Sequence, residues 1–203
     1  MKIICIGRNY LEHARELKNP VPKKPVFFLK PDTALLIRNR PFFYPDFSQD
    51  IHYELELVLK ICKNGKNIAE KFAHNYYKEI GLGIDFTARD LQQECKEKGL
   101  PWEVAKAFDQ SAAISEFISF ESLNNPDNIL FRLDLNGATV QKGFSNDMIF
   151  RFNHLISYVS RFMTLRAGDL LFTGTPEGVG PVKIGDKLQG YLEEKLMISC
   201  EIK

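Results

Sequence analysis

The sequence predicts an α+β fold built mainly of mixed β-sheets, and three observations carry that prediction. Segments rich in β-branched, aromatic and leucine residues recur along the chain, the strongest being "IHYELELVLKIC" at 51–62. Only three or four stretches between them show apolar residues at helical spacing. Two alternating runs flank an Asn136-Gly137 pair in "DNILFRLDLNGATVQKGF", which marks an antiparallel hairpin. The 203 residues, 44% hydrophobic, contain no internal repeat, low-complexity tract or long linker, so residues 1–203 read as a single domain with one sizeable core.

In chain order, "KIICIG" reads as a strand ending at Gly7. "NYLEHARELK" follows as a helix, with Tyr10, Leu11, Ala14 and Leu17 on one face and His13 and Glu16 adjacent at i and i+3. The prolines of "NPVPKKP" stop it and form an exposed connector. "VFFLKP" and "ALLIRNRPFFYP" are strands broken by proline, and "IHYELELVLKIC" is a strand closed by the turn "KNG". "NIAEKFAHNYYKEI" is expected to be helical. "GLGIDFTARDLQQECKEKG" reads as a buried strand running into a helix that starts near Thr87, with Thr87 and Asp90 spaced as a capping pair. After the hairpin, "MIFRFNHLISYVSRFM" is an amphipathic helix, and the remainder alternates strands with Gly-rich turns.

Charge and cysteine usage exclude several function classes. Lys and Arg (27) nearly cancel Asp and Glu (26), so there is no basic footprint for nucleic acid and no attraction to an anionic membrane. Cys5, Cys62, Cys95 and Cys200 are scattered without a CxxC pair, which argues against a zinc knuckle or disulfide framework and for buried or half-buried free thiols. Only four apolar residues separate Lys2 from Gly7, too few for a signal-peptide core, and no run reaches the length of a membrane span. The expected location is the cytoplasm.

The chemistry centres on carboxylates. On a strand, His52, Glu54, Glu56 and Val58 share one side. Two glutamates about 7 Å apart at Cα can converge on one cation. Asp85, ending an apolar strand just before a helix, is the candidate third ligand. Three hard oxygen donors suit Mg²⁺ or Mn²⁺ better than zinc. The bland alternative is the solvated face of an edge strand, against which stand the Leu and Val residues on both sides of the pair.

His13 beside Glu16 could take a proton from water, with Glu16 raising its basicity; surface decoration is the alternative. His52, His74 and His154 show no such partner in the sequence. Lys106, shortly after the only Trp, is either a solvated lysine or a fixed positive charge where negative charge develops. "FTGTPEGVG" lacks the Gly-Lys-Ser/Thr ending of a phosphate loop. Thr173 and Thr175 could instead hold a carboxylate, or the segment is simply a tight turn.

Six segments in order, "GRNYLEHARE", "FFLKP", "HYELEL", "DFTARDLQ", "KGLPWEVAKAFD" and "GDLLFTGTPEGVGPV", resemble the fumarylacetoacetate hydrolase family, most closely its short acylpyruvase/oxaloacetate decarboxylase branch. The similarity runs from about residue 5 to the C-terminus. It implies a mixed β-sandwich roll of the family's C-terminal-domain type with a short N-terminal lid helix, a homodimer, and a Mg²⁺ or Mn²⁺ site. The family's metal pattern falls on Glu54, Glu56 and Asp85. Its catalytic His and Glu fall on His13 and Glu16, its active-site lysine on Lys106, and its ketoacid contacts on Gln92, Lys106 and Thr175.

The implied reaction is hydrolysis of acylpyruvates such as acetylpyruvate or fumarylpyruvate to pyruvate and a carboxylic acid, extending to oxaloacetate decarboxylation. The alternative is isomerisation or tautomerisation of a 2-ketoacid such as oxaloacetate or 2-hydroxyhepta-2,4-diene-1,7-dioate at the same metal site. "RNYLEHARELKN" is expected to be mobile without ligand and to close on it. Asp147, where relatives tend to carry a small polar residue, and the "NPVPKK" connector depart from the pattern and bear on substrate selection.

Overall fold

A computed structural model describes residues 1–17 and 20–203 of the protein. Its largest sheet has eight strands. In spatial order they are β2 (Val26–Lys30), β1 (Ile3–Gly7), β12 (Leu170–Phe172), β5 (Leu55–Ile61), β6 (Tyr77–Asp85), β8 (Ala112–Ile114) and β3 (Leu35–Leu36), with β9 (Ile118–Ser119) also paired to β6. Parallel pairs (β1 with β12, β3 with β8) mix with antiparallel ones, as the sequence led us to expect.

β5 lies at the centre, and its alternation sorts the two faces. Leu55, Leu57, Leu59 and Ile61 enter the main core, while Val58 joins Ile3, Cys5, Leu170 and Phe172 on the other side. Each fully buried side chain of this size contributes about 1.5–3 kcal/mol.

A second sheet, β11 (Ala138–Phe144), β10 (Leu130–Leu135), β14 (Lys187–Leu192) and β15 (Lys195–Glu201), closes over the same core. Phe131, Leu133, Leu188, Leu192 and Ile198 meet the leucines of β5 and β6 there. The β10–β11 hairpin turns at Asn136 and Gly137, whose φ angles of 51° and 85° are the left-handed pair this turn requires. A third sheet of short strands, β13 (Gly180–Pro181), β4 (Ile51–Tyr53) and β7 (Thr87–Ala88), borders the first.

Four α-helices complete the described residues: α1 (Leu11–Glu16), α2 (Arg89–Lys98), α3 (Glu103–Lys106) and α4 (Phe152–Ser160). The helix expected over 9–18 is thus shorter, and its last residue, Lys18, lies outside the described residues, as does Asn19 of the connector. Leu155, Ile156 and Val159 give α4 its buried face. Among the described residues no helix is long and apolar enough to cross a membrane.

Several sequence expectations change. The strand expected over 51–62 is two strands in different sheets, β4 and β5, with Glu54 as the single residue between them. The helix expected over 67–80 is a 3-10 segment, Glu70–Tyr76, followed by β6. Pairing of Tyr77–Ile80 with β5 and β9, and packing of Tyr77 on Phe120 and Phe152, outweigh the local helical spacing. Thr87 does not cap α2; it lies in β7, and Ala88 occupies the N-cap position without a side-chain bond. The Asp90 carboxylate instead accepts from Ser48 Oγ and the backbone N–H groups of Gln49 and Leu91. Cys5, Cys95 and Cys200 are buried free thiols, whereas Cys62 is exposed.

Candidate active site

The switch between sheets at Glu54 creates the site. Asp85 N donates to Glu54 O (2.9 Å), and the next backbone N–H, that of Leu55, is taken by the buried Gln141 side chain (2.9 Å). Glu56 opposes Gly83 in the β5–β6 ladder, and Asp85 ends β6, so their carboxylates converge with that of Glu54, the residue just before β5. One oxygen from each of Glu54, Glu56 and Asp85 lies within 4.8 Å of the others, and all three residues are buried, Glu54 being the most exposed at 6%. The edge-strand alternative is therefore excluded.

Cations surround the cluster. Lys106 Nζ, brought in by α3, donates to Glu54 Oε2 (2.9 Å), Asp85 Oδ2 (2.8 Å) and Thr87 Oγ1 (2.5 Å). Arg89 Nη2, from the first turn of α2, donates to Glu54 Oε1 (2.7 Å), and its Nη1 holds Gln92 Oε1 (2.7 Å). From β2, Lys30 Nζ lies 2.7 Å from Asp85 Oδ1, but off the hydrogen-bonding direction, so that buried oxygen accepts no aligned hydrogen bond.

These neighbours decide the ionisation. Burial alone would raise the Glu54 carboxyl, yet Lys106, Arg89 and His13 hold it well below the usual range. Glu56 is pushed well up by burial and by the charges of Asp85 and Glu54, against the single backbone N–H of Gly174 at 2.7 Å from Oε2. Burial would lower Lys106, but Asp85 and Glu54 outweigh it and raise its pKa, so its ammonium stays charged.

Three hard oxygen donors without sulfur or nitrogen, one of them an orphaned buried oxygen, fit Mg²⁺ or Mn²⁺. A divalent ion would also relieve the repulsion that drives Glu56 upward.

α1 covers this cluster. His13 is 5% exposed and its Nδ1 faces Glu16 Oε2 at 3.3 Å; among the described residues Nε2 makes no hydrogen bond. Burial lowers the His13 pKa, with Glu54 and Glu16 opposing. The other Glu16 oxygen accepts from Gly178 N (3.1 Å), which ties the helix to the "FTGTPEGVG" loop. Asn9, fully buried, anchors the start of the helix by donating to Thr173 O and Phe150 O and accepting from Phe150 N. Gly174 must be glycine: its φ is +100°, and a Cβ would stand 2.7 Å from the Asn9 Cβ.

One cleft is lined by His13, Glu54, Glu56, Asp85, Gln92, Lys106 and Thr175, so of the sequence-predicted site residues only Glu16, which stands behind His13, and Thr173 do not open onto it. Thr175 Oγ1 accepts from Gln141 Nε2 (2.9 Å), leaving its own hydroxyl proton for a ligand. Thr173 is turned away and donates to Leu57 O. His52 and His154 do have carboxylate partners, Asp50 and Glu70 at 3.0 Å, but neither lines the cleft.

Sequence reasoning missed Arg89, Lys30, Arg8 and Lys96. The first three stand inside the quoted motifs "DFTARD", "FFLKP" and "GRNY", which was the available signal.

Known proteins resemble this chain over nearly its whole length. The family model described as fumarylacetoacetate (FAA) hydrolase C-terminal matches residues 2–203. The mitochondrial oxaloacetate tautomerase FAHD1 of Bos taurus is 42% identical over 201 residues, 99% of this chain and 91% of the relative. A mitochondrial oxaloacetate decarboxylase of Dictyostelium discoideum is 44% identical over 189 residues, 93% of this chain and 87% of the relative. Among solved structures, fumarylpyruvate hydrolase from Pseudomonas aeruginosa in complex with Mn²⁺ and pyruvate superposes with a TM-score of 0.94 at 37% identity, covering 100% of this chain and 89% of that one.

Proposed function

Because this chain belongs to the fumarylacetoacetate hydrolase family, an enzyme family whose members process 2-ketoacids, we propose that it hydrolyses acylpyruvates to pyruvate and a carboxylic acid in a divalent-metal-dependent reaction. The observation that carries the proposal is the convergence, in one cleft, of the buried Glu54–Glu56–Asp85 cluster, the charged Lys106 and the His13–Glu16 pair.

Glu54, Glu56 and Asp85 would hold Mg²⁺ or Mn²⁺, which when bound supplies Lewis-acid polarisation of the 2-keto oxygen. Lys106 places a fixed positive charge against the enolate charge that develops as the C–C bond breaks. His13, its Nδ1 hydrogen held by Glu16, takes a proton at Nε2 from the water that attacks the distal carbonyl. That water delivers OH to the acyl carbon, and the proton ends on the enol carbon, giving pyruvate. Gln92, oriented by Arg89, and the Thr175 hydroxyl bind the ketoacid carboxylate. Burial under α1 keeps bulk water from the enolate.

A second reading is favoured by the names of the relatives: keto–enol interconversion or decarboxylation of oxaloacetate at the same site. Both need enolate stabilisation but no attacking water, so His13 would serve as a proton carrier.

The test is pyruvate release from acetylpyruvate by metal-stripped protein, before and after Mg²⁺ is restored. Release that depends on metal is expected. No release with metal bound, together with accelerated loss of the oxaloacetate enol band, would replace hydrolysis by tautomerisation. The homodimer and the cytoplasmic location are proposals of the same standing. Sedimentation as a single-chain species would refute the first, and fractionation with an organelle, as the names of the relatives suggest, would refute the second.

A further inference from the structure

Two cations in the cleft have no role in the chemistry above. Arg8 follows directly on β1, is half-buried, and holds a φ of 59°, a left-handed conformation uncommon for a residue with a side chain. The neighbouring Asn9, stapled to Thr173 and Phe150, fixes that backbone. Lys96 is one helical turn beyond Gln92 on α2, so Arg89, Gln92 and Lys96 form one stripe along the helix. Arg8 and Lys96 both line the cleft.

Arg89 is neutralised by Glu54 and Lys106 by Glu54 and Asp85. Among the described residues, the side chains of Arg8 and Lys96 have neither a hydrogen bond nor a carboxylate partner; Lys96 Nζ only overlooks the Trp102 ring at 6.0 Å. Burial, together with the charges of Arg89 and Arg8, depresses the Lys96 pKa against the opposing charge of Glu54, as expected when like charges face a common space. Glu54 and Asp85 are already committed to Lys106, Arg89 and Lys30, and Glu56 accepts from the Gly174 N–H, so among the described residues no carboxylate stands within ion-pair distance of Arg8 or Lys96.

We propose that Arg8 and Lys96 form a second anion subsite that takes the far carboxylate of a 2-keto dicarboxylate, selecting dianionic over monoanionic 2-ketoacids. The proposal rests on the 2-ketoacid reading of the site. A carboxylate bridging an arginine and a lysine gains charge-assisted hydrogen bonds, and it removes the repulsion between them.

Oxaloacetate and pyruvate differ by this carboxylate. Their binding to Mg²⁺-loaded protein can be followed by the fluorescence of Trp102, the chain's only tryptophan and part of the cleft wall, with rapid mixing so that the signal precedes turnover. Wild type is expected to bind oxaloacetate about tenfold or more tighter than pyruvate, the scale of one charge-assisted bond. Arg8→Met and Lys96→Met should each abolish most of that preference while pyruvate affinity stays within about threefold. Lys96→Met alone carries the test if Arg8→Met does not fold.

Equal wild-type affinities for the two ketoacids, or variants that lose both equally, would overturn the subsite. Turnover is read separately. A protein that prefers oxaloacetate but cleaves no acylpyruvate keeps the subsite and loses the hydrolase reading, and one that cleaves acetylpyruvate without any preference does the reverse.

Discussion

Replacing Lys106 by methionine removes one ammonium and leaves its partners in place. In the folded chain that ammonium donates to two buried carboxylates and one hydroxyl, at 2.9, 2.8 and 2.5 Å. Methionine fills similar volume without the charge, so the loss is electrostatic. Breaking a buried ion pair from one side costs about 3–5 kcal/mol. For a domain of this size, that corresponds to a fall in melting temperature of roughly 6–20 °C in metal-free protein.

Because the charge left uncompensated is negative, saturating Mg²⁺ should restore more of the melting temperature in the variant than it adds to wild type. Turnover should not recover: loss of one group that stabilises developing charge costs roughly 10²–10³-fold in kcat. The folded-state Lys106 pKa is raised, so its stabilising effect is complete below the ordinary lysine pKa of about 10.4 and disappears as pH rises through the folded value. The difference in melting temperature should therefore be level from about pH 6 to 9 and close above about 10.4. Scanning calorimetry with and without Mg²⁺, paired with a pyruvate-release assay, reads both effects. A melting temperature within about 2 °C of wild type would refute the buried-pair argument. Turnover within about tenfold of wild type would refute the role of the charge.

Three further outcomes follow from the same geometry. Burial depresses the His13 pKa, so the acid limb of kcat/KM should have its midpoint below about 6.5; Glu16→Gln removes a charge that raises it and should move the limb to still lower pH, whereas a limb above 6.5 counts against His13 as the base. Gly174→Ala forces a Cβ to 2.7 Å from that of Asn9 and pulls a backbone N–H from Glu56; calorimetric titration should show Mg²⁺ affinity reduced roughly tenfold, and an unchanged affinity would contradict the role of this bond. Oxalate with Mg²⁺ should slow proteolysis around α1, and equal cleavage rates with and without them would argue against a closing lid.

The fold class, the hairpin and the amphipathic α4 were legible because each is written in local periodicity or turn chemistry. The carboxylates were legible for a different reason: Glu54 and Glu56 interrupt a strand whose composition otherwise argues for burial. Period-2 reasoning could not show that the strand breaks at Glu54, because the break depends on Gln141 capturing the Leu55 N–H from a distant hairpin. The residues at 67–80 read as helical because strand pairing with β9 is a non-local fact. Thr87 and Asp90 had capping spacing, but Lys106 and Ser48, both remote in sequence, claimed their side chains first. Lys30 and Arg89 gave no signal as single cations, since the sequence does not reveal which buried acid a lysine or arginine faces.

β1 pairs in parallel with β12, and the lid helix hangs from contacts that join Asn9 to Thr173 and Glu16 to Gly178, more than 160 residues apart. This has a consequence for biosynthesis. At roughly 5–20 residues per second, the ribosome has made the first strand some 8–33 s before its parallel neighbour exists. Ile3, Ile4 and Ile6 must wait through that interval with at most the β2 hairpin for shelter. A chain interrupted before residue 174 would hold all three carboxylates yet have neither the Gly178 N–H that ties Glu16 behind His13 nor the Gly174 N–H that holds Glu56. Catalytic competence should therefore appear only after β12 and the loop that follows it have been made, and nascent chains of this protein should lean on chaperones longer than those of a helical bundle of equal length.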